Sequence, residues 1–468
     1  MRPQNQIARD RLDIALRRSP PMTAVALSEV LGVSVPSIHR MVREREADVI
    51  RQGATKSTKY ALRRSLRGKL AAIPIYQINP QGQGKQIAML DLVASEGALL
   101  NLAEMGWPVP KQHQGWWDGL PYPIYEMRPQ GFLGRNFAHQ LAQDFNVPEN
   151  PEYWSDDDIV HILGIRGADC VGDLVVGDAA YQLWLKSQTL NNPNLLAEDA
   201  LPDHYAQMAT LATSQGVIGS SAGGEFPKFI TSRPLAGSNT PHVIVKFSGV
   251  NNQPNIPNAV QRWSDLLICE HLALCALAQT TEIACAKSRV LFGQGRTFLE
   301  VERFDRVGLL GRTPVISLAS LDHAFIGKGS EAWPVLMQRI RDIILLDETC
   351  IGQSQLLWWY GKLIANSDMH LGNLSFTFTT NQVLGVPKLS LTPVYDMLPM
   401  FYAPLAGGEV PQRQFMPELP LPQTQDAWQL ARQAALQFWQ MACEDTRISQ
   451  PFRELCTDNF NKLNRLNV

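Results

Sequence analysis

Ile364-Ala365-Asn366-Ser367-Asp368-Met369-His370-Leu371-Gly372-Asn373-Leu374-Ser375-Phe376 is the stretch on which the reading of this chain turns. The residues before it, Trp358 to Ala365, are apolar and read as a helix. Those after it, Leu374 to Thr379, read as a strand, so the polar residues between form a loop. Asp368 and Asn373 stand five apart in that loop. A carboxylate there can take or orient a hydroxyl proton, and a carboxamide at that spacing can hold a metal ion. The spacing by itself is common by chance; its setting between helix and strand is what makes it informative.

Phosphoryl transfer needs few further parts: donors and a cation for the phosphates, and carboxylate for Mg²⁺. Downstream, in Leu391-Thr392-Pro393-Val394-Tyr395-Asp396, Asp396 follows the strand Leu389 to Pro393 and is the expected Mg²⁺ ligand; a cap on the following turn is the plainer alternative. Upstream, Lys246 ends the β-branched strand His242 to Phe247 and would reach nucleotide phosphates, steadied by Glu270 of a helix spanning Gln261 to Ala278. A solvated strand-end lysine is the alternative. Gly219-Ser220-Ser221-Ala222-Gly223-Gly224 lets backbone N–H groups approach phosphate, although many such turns bind nothing. Leu299-Glu300-Val301-Glu302-Arg303-Phe304-Asp305-Arg306 could be a hinge with adenine near Glu302 and Phe304; taken alone, its charges read as a solvated strand end. These parts occur in the order a phosphotransferase requires, and it is their order that carries the reading.

The first seventy residues differ from the rest. Met1 to Leu70 hold 15 Lys and Arg against 6 Asp and Glu, a net of +9 in a chain whose formal net charge is −2. A basic head on an acidic body points to a polyanionic partner for the head. Leu27 to Ser34 has the spacing of a helix-turn-helix: Thr23 caps the first helix, Gly32 stops it, and Ser34 caps the next, with Pro36 in its first turn. That second helix would present Ser34, Ser37, His39, Arg40 and Arg43 to the major groove of double-stranded DNA. Arg51, Lys56 and Lys59, on a two-stranded wing of Val49 to Arg51 and Lys59 to Leu62, would meet phosphates. A winged helix used only for protein contact is the alternative.

The 468 residues predict roughly two to four domains. The fold class expected is α+β, a winged helix-turn-helix followed by a two-lobed body with a strand-rich N-lobe and a helical C-lobe. The domains would be 1–66, then 67–310 (an N-terminal subdomain 67–210 and nucleotide-binding strands 211–310), then a catalytic lobe 311–468. No apolar run is long enough to span a bilayer, and the Arg-rich start has no signal-peptide core, so a cytoplasmic protein is expected. The seven cysteines include no C-x-x-C pair and read as buried, reduced thiols.

With Met127-Arg128-Pro129-Gln130-Gly131-Phe132-Leu133-Gly134-Arg135, Val301 to Arg306, Ser367 to Asn373 and Thr392 to Asp396 assembled, the chain resembles the HipA family of bacterial toxin kinases over about residues 70 to 440. With the head in front it looks like the YjjJ (HipH) branch. The resemblance implies a serine/threonine-protein kinase of a toxin–antitoxin system using ATP and Mg²⁺. Asp368, His370 and Asn373 would form its catalytic loop, with Asn373 and Asp396 on Mg²⁺. Ser220, Ser221, Gly223, Gly224, Lys246, Glu270, Glu302 and Phe304 would contact ATP. Ser220, or Ser221 beside it, would be autophosphorylated, although the loop here continues Gly224-Glu225-Phe226-Pro227-Lys228 rather than Gln-Glu-Lys after its glycine. The implied partners are a protein substrate, such as an aminoacyl-tRNA synthetase or another translation factor, and a HipB-like antitoxin that the fused head could replace. A homodimer on palindromic DNA would suit the head. Two other readings fit the residues less well: a transcription regulator with a nucleotide-sensing, non-catalytic body, and a small-molecule phosphotransferase.

Overall fold

The computed structural model describes residues 4–18, 21–190, 197–214, 225–234, 237–251, 258–380 and 387–466. The head is three helices, Gln4–Arg18, Ala24–Leu31 and Val35–Arg43, packed on an antiparallel sheet of Met22–Thr23, Lys59–Leu62 and Val49–Gln52. Leu12, Leu16, Leu27, Ile38 and Met41 fill its core. Gly32 adopts the left-handed conformation, φ +64°, that turns the chain between the second and third helices. Thr23 accepts the expected capping bond from the Ala26 N–H at 3.2 Å. Ser34 does not cap through its side chain as expected; its hydroxyl instead meets the Ser37 hydroxyl at 3.0 Å.

The head is stitched to the body. The Ala94 N–H donates to the Leu62 carbonyl and the Arg64 N–H to the Leu92 carbonyl, so the wing runs onto the next sheet. Ile50 and Ala61 bury against Val93 and Leu99, while Arg63 pairs with Asp91 at 2.7 Å and Arg64 with Asp157. That next sheet is five-stranded and antiparallel, in the order Trp116–Trp117, Ala98–Leu99, Gly84–Leu92, Ile73–Ile78, Leu174–Val176. A helix spans Gly131–Phe145.

A second antiparallel sheet, in the order Ser288–Gly293, Arg296–Glu302, His242–Phe247, Lys228–Ser232, packs on the helix Ala259–Thr280. Asn258 caps that helix by accepting from the Gln261 N–H at 2.8 Å, and its buried face carries Leu266, Leu267, Leu274 and, among them, Glu270. Helices Thr349–Leu363, Gln425–Glu444 and Gln450–Asn464 form the C-terminal lobe around Trp428, Phe438, Trp439 and Phe452. Between helices lies a small sheet of Ile316–Ser317, Ser375–Thr380 and Pro387–Leu391. One continuous core runs from Ile75 to Leu463, while the head keeps its own core and Phe229, Val243, Val245 and Phe247 of the four-stranded sheet join a separate cluster with Leu201 and Tyr205. All seven cysteines are free; Cys269, Cys350 and Cys456 are buried and the other four are half-buried, less covered than expected. Among the described residues no helix is long and apolar enough to cross a membrane.

Candidate active site

A cleft of about 770 Å³ separates the four-stranded sheet from the C-terminal lobe. Lys246, Glu270, Glu302, Phe304, Gly372, Tyr395 and Asp396 line it. Lys246 is only 6% exposed, which rules out a solvated strand-end lysine. The His242–Phe247 strand, between two partners, points Lys246 at the helix behind it, and Nζ donates to both Glu270 oxygens at 2.7 Å. The same ammonium also bonds Asp396. Burial and the neighbouring Asp396 raise the Glu270 carboxyl to about 7 against the pull of Lys246. Burial also works to raise Asp396, but Lys246 and Lys228 overcome it and hold Asp396 at about 2. One ammonium thus bonds two carboxylates, with Lys228 acting on them from farther off.

The catalytic-loop candidates are held from behind. The helix Thr349–Leu363 ends, Ala365 turns left-handed at φ +58°, and the chain emerges at Asp368. The Asn366 side-chain oxygen accepts from the Asp368 N–H at 3.0 Å, and its nitrogen donates to the Asp396 carbonyl at 3.3 Å. Asn373 donates to the Asp368 carbonyl at 2.9 Å. Asp368 is exposed, and its carboxylate makes no hydrogen bond to any described residue. His370 is exposed too; its Nδ1 accepts from the Gly372 N–H at 3.1 Å, so it shapes the loop. Asp396 is itself left-handed, φ +55°, and does not serve as a turn cap. Two non-glycine residues in this sparsely populated region, each costing on the order of 1–2 kcal/mol, flank one site.

Hard oxygen donors suit Mg²⁺. With its nitrogen committed to Asp368, Asn373 offers its side-chain oxygen; Asp396 offers a carboxylate kept ionised. Among the described residues no group of three His, Cys, Asp or Glu is arranged to hold a metal. Asp396 and Asn373 present two oxygen donors of the kind Mg²⁺ takes.

The Val301–Arg306 string is not solvated. Arg303, Asp305 and Arg306 are at most 6% exposed. Arg303 grips Asp305 through two bonds, at 3.0 and 2.9 Å, and Arg306 bonds Asp305 at 2.7 Å and Asp169 at 2.6 Å. Burial opposes ionisation of Asp169, yet Arg303 and Arg306 hold it at about 2. The string bolts the four-stranded sheet to the segment following the helix Asp156–Arg166. Glu302 turns away to Arg233 at 2.7 Å, and the Phe304 ring packs near Tyr395, 5.4 Å between centroids.

Ser220, Ser221, Gly223 and Gly224 lie outside the described residues. Just after them, Glu225 bonds Lys228 at 2.8 Å and Arg135 at 3.0 Å. In the head, Ser34, Arg40, Arg43 and Arg51 are exposed, Ser37 and Lys59 half-buried, and the Lys56 side chain is outside the described residues. His39, expected to face outward, is exposed but meets the hydroxyl of buried Tyr60 at 3.2 Å.

Two contributors carried no motif signal. Asn366 lay unassigned inside the quoted stretch, its only hint being an Asn two residues before the Asp, as in an Asx turn. Tyr395 donates to the Gly372 carbonyl at 2.6 Å and meets Ser375 Oγ at 2.6 Å, tying the segment that carries Asp396, beyond the strand Pro387–Leu391, to the catalytic loop.

The chain belongs to the HipA-like family of toxins: the family profile described as "HipA-like C-terminal domain" matches residues 220–459. Within that family it falls with the YjjJ type, because the profile "YjjJ-like toxin, middle domain" matches residues 69–185. Toxin YjjJ of Escherichia coli (strain K12) is 36% identical over 447 residues, 95% of this chain and 96% of that protein. Two solved structures are more distant. A chain of the Shewanella oneidensis MR-1 toxin–antitoxin complex of HipA, HipB and operator DNA is 14% identical, with a TM-score of 0.44, over 84% of this chain and 95% of that one. The Helicobacter pylori proinflammatory kinase CtkA is 10% identical, with a TM-score of 0.35, over 53% of this chain and 91% of that one.

Proposed function

We propose that the body is an ATP- and Mg²⁺-dependent protein serine/threonine kinase and that the head binds DNA. The observation carrying the reading is the buried, hydrogen-bonded Lys246–Glu270 pair, whose ammonium also bonds Asp396, in a cleft lined as well by Gly372 of the Asp368 loop. ATP would supply the phosphoryl group; Asp396 and Asn373 would hold Mg²⁺, which would supply charge neutralisation to the phosphates. Lys246 holds the phosphates, with Glu270 setting its position. Asp368 accepts the proton of the substrate hydroxyl as the new O–P bond forms and the β–γ bridging bond breaks, releasing ADP. The substrate would be a serine or threonine on a protein, an aminoacyl-tRNA synthetase or another translation factor among the candidates. The loop at Ser220 and Ser221 would take phosphate in cis.

For the head, the exposed Arg40, Arg43 and Arg51 and the net +9 charge support a phosphate-contacting surface. A head fused to the toxin would bind operator DNA in cis, with a HipB-like antitoxin as a further partner and a homodimer matching two half-sites. The test is transfer of labelled γ-phosphate from ATP·Mg²⁺ by wild type and Asp368→Asn side by side, with mapping of the labelled residue. Label in wild type alone, with DNA binding kept by both, is the expected result. ATP binding without transfer would favour the nucleotide-sensing regulator; no ATP binding would overturn the kinase reading.

A further inference from the structure

One wall of the cleft plays no part in the chemistry above. It carries the stretch Met127 to Arg135, and Arg128 lines the cleft from it. The half-buried Arg128 guanidinium lies 3.6 Å from the centroid of the Tyr125 ring, which is itself stacked on His323 at 4.0 Å. It donates to the Tyr125 carbonyl at 3.2 Å and to Gln130 Oε1 at 3.3 Å. Among the described residues, no carboxylate forms an ion pair with it. Its sequence neighbour Glu126 is occupied, accepting from the Ser317 N–H at 3.0 Å, Ser317 Oγ at 2.6 Å and Ser320 Oγ at 2.5 Å. Of the other cations lining the cleft, Lys246 is neutralised by Glu270, Lys228 by Glu225 and Arg303 by Asp305, while Arg166 is solvent-exposed and lies over the Phe145 ring.

Holding a partly desolvated guanidinium without a counterion is costly. The aromatic face fixes its plane and leaves fork donors for an oxyanion, the geometry that recognises carboxylate in two-point fashion. Its place in the cleft indicates which oxyanion. Glu126 anchors Ser317, Ser317 pairs in register with Ser375, Ser375 meets Tyr395, and Tyr395 bonds the Gly372 carbonyl. Arg128 therefore stands on the catalytic-loop side, where an acceptor enters, whereas Lys246 serves the phosphates from the sheet.

We infer that Arg128 is a specificity residue that binds an acidic side chain next to the acceptor hydroxyl, so that the substrate is a serine or threonine in an acidic segment. The inference rests on the protein-kinase reading above. The test uses the full chain loaded with Mg²⁺ and a non-hydrolysable ATP analogue. Fluorescence anisotropy follows a labelled serine peptide flanked by Asp and Glu, its Asn and Gln counterpart, and a Lys-flanked peptide. Wild type should bind the acidic peptide at least about tenfold more tightly than the neutral one, the order of one good ion pair. Arg128→Gln should abolish that preference, Arg128→Lys keep part of it, and Arg128→Glu turn it toward the Lys-flanked peptide, with affinity for the analogue changed less than about twofold. Equal binding of acidic and neutral peptides by wild type, a reading that needs no variant to fold, overturns the inference. So does Arg128→Gln weakening the analogue itself, which would assign the guanidinium to the nucleotide. A chain that binds no analogue fails the kinase reading; one that binds the analogue without an acidic preference fails only the role of Arg128.

Discussion

The Asn366 amide nitrogen donates to the backbone carbonyl of Asp396 at 3.3 Å while its oxygen accepts from the Asp368 N–H at 3.0 Å. One buried carboxamide thus fixes the proposed metal carboxylate and the proposed catalytic carboxylate relative to each other. Asn366→Ala removes both bonds and should lower kcat by about tenfold to a hundredfold, with the KM for ATP little changed. The loss of two buried hydrogen bonds should cost about 1–3 kcal/mol of stability. Phosphate-transfer kinetics and denaturant midpoints check the two effects separately.

Glu270 gives a pH dependence of stability. Its carboxyl is raised from 4.5 to about 7 in the folded chain, chiefly by burial. Between those values the native state holds a proton that the unfolded chain has released, so this group's contribution to stability falls as pH rises from about 4.5 to about 7. Asp396 works the opposite way: lowered from 3.8 to about 2, it contributes above its unfolded value and loses that contribution as pH falls toward 2. Melting temperatures of Glu270→Gln across pH 4.5 to 7 should show a flatter profile than wild type; an unchanged profile would contradict the assignment.

Lys246→Met leaves Glu270 and Asp396 without the ammonium that bonds both. Removing one partner of a buried pair costs about 3–5 kcal/mol, and phosphate transfer should disappear. Pairing Lys246→Met with Glu270→Leu should recover part of the stability and none of the activity, measured by urea denaturation and labelled-phosphate transfer.

Arg306→Leu removes bonds to Asp305, Asp169 and the Gly172 and Cys170 carbonyls. Destabilisation of about 3–5 kcal/mol is expected, seen as a lower denaturant midpoint.

Arg40→Ala and Arg43→Ala should each weaken DNA binding at all sequences if they meet phosphates, and each should reduce the slope of log K against log salt by about 1. A salt titration by anisotropy reads the slope directly. Asp368→Asn, in the other lobe, should leave that slope unchanged.

The order of Lys246, Asp368, Asn373 and Asp396 and the alternation of helix and strand around them could be read from the chain, because each lies in a short motif whose polarity breaks an apolar pattern. The same holds for the Gly32 turn in the head, where a stop signal and a cap sit close together. Burial of charge could not be read. Arg303, Asp305 and Arg306 look like a solvated strand end because hydrophobic periodicity registers only apolar residues; Asp169, which neutralises two of them, is more than 130 residues away. Asn366, Tyr395 and Arg128 likewise acquire their roles from partners brought together by packing. The sequence by itself therefore determined which chemical groups are present and in what order. The tertiary structure alone decided which charges are paired, which carboxylate stays ionised and which guanidinium is left open, because those depend on distance and desolvation, and neither is a local property of the chain.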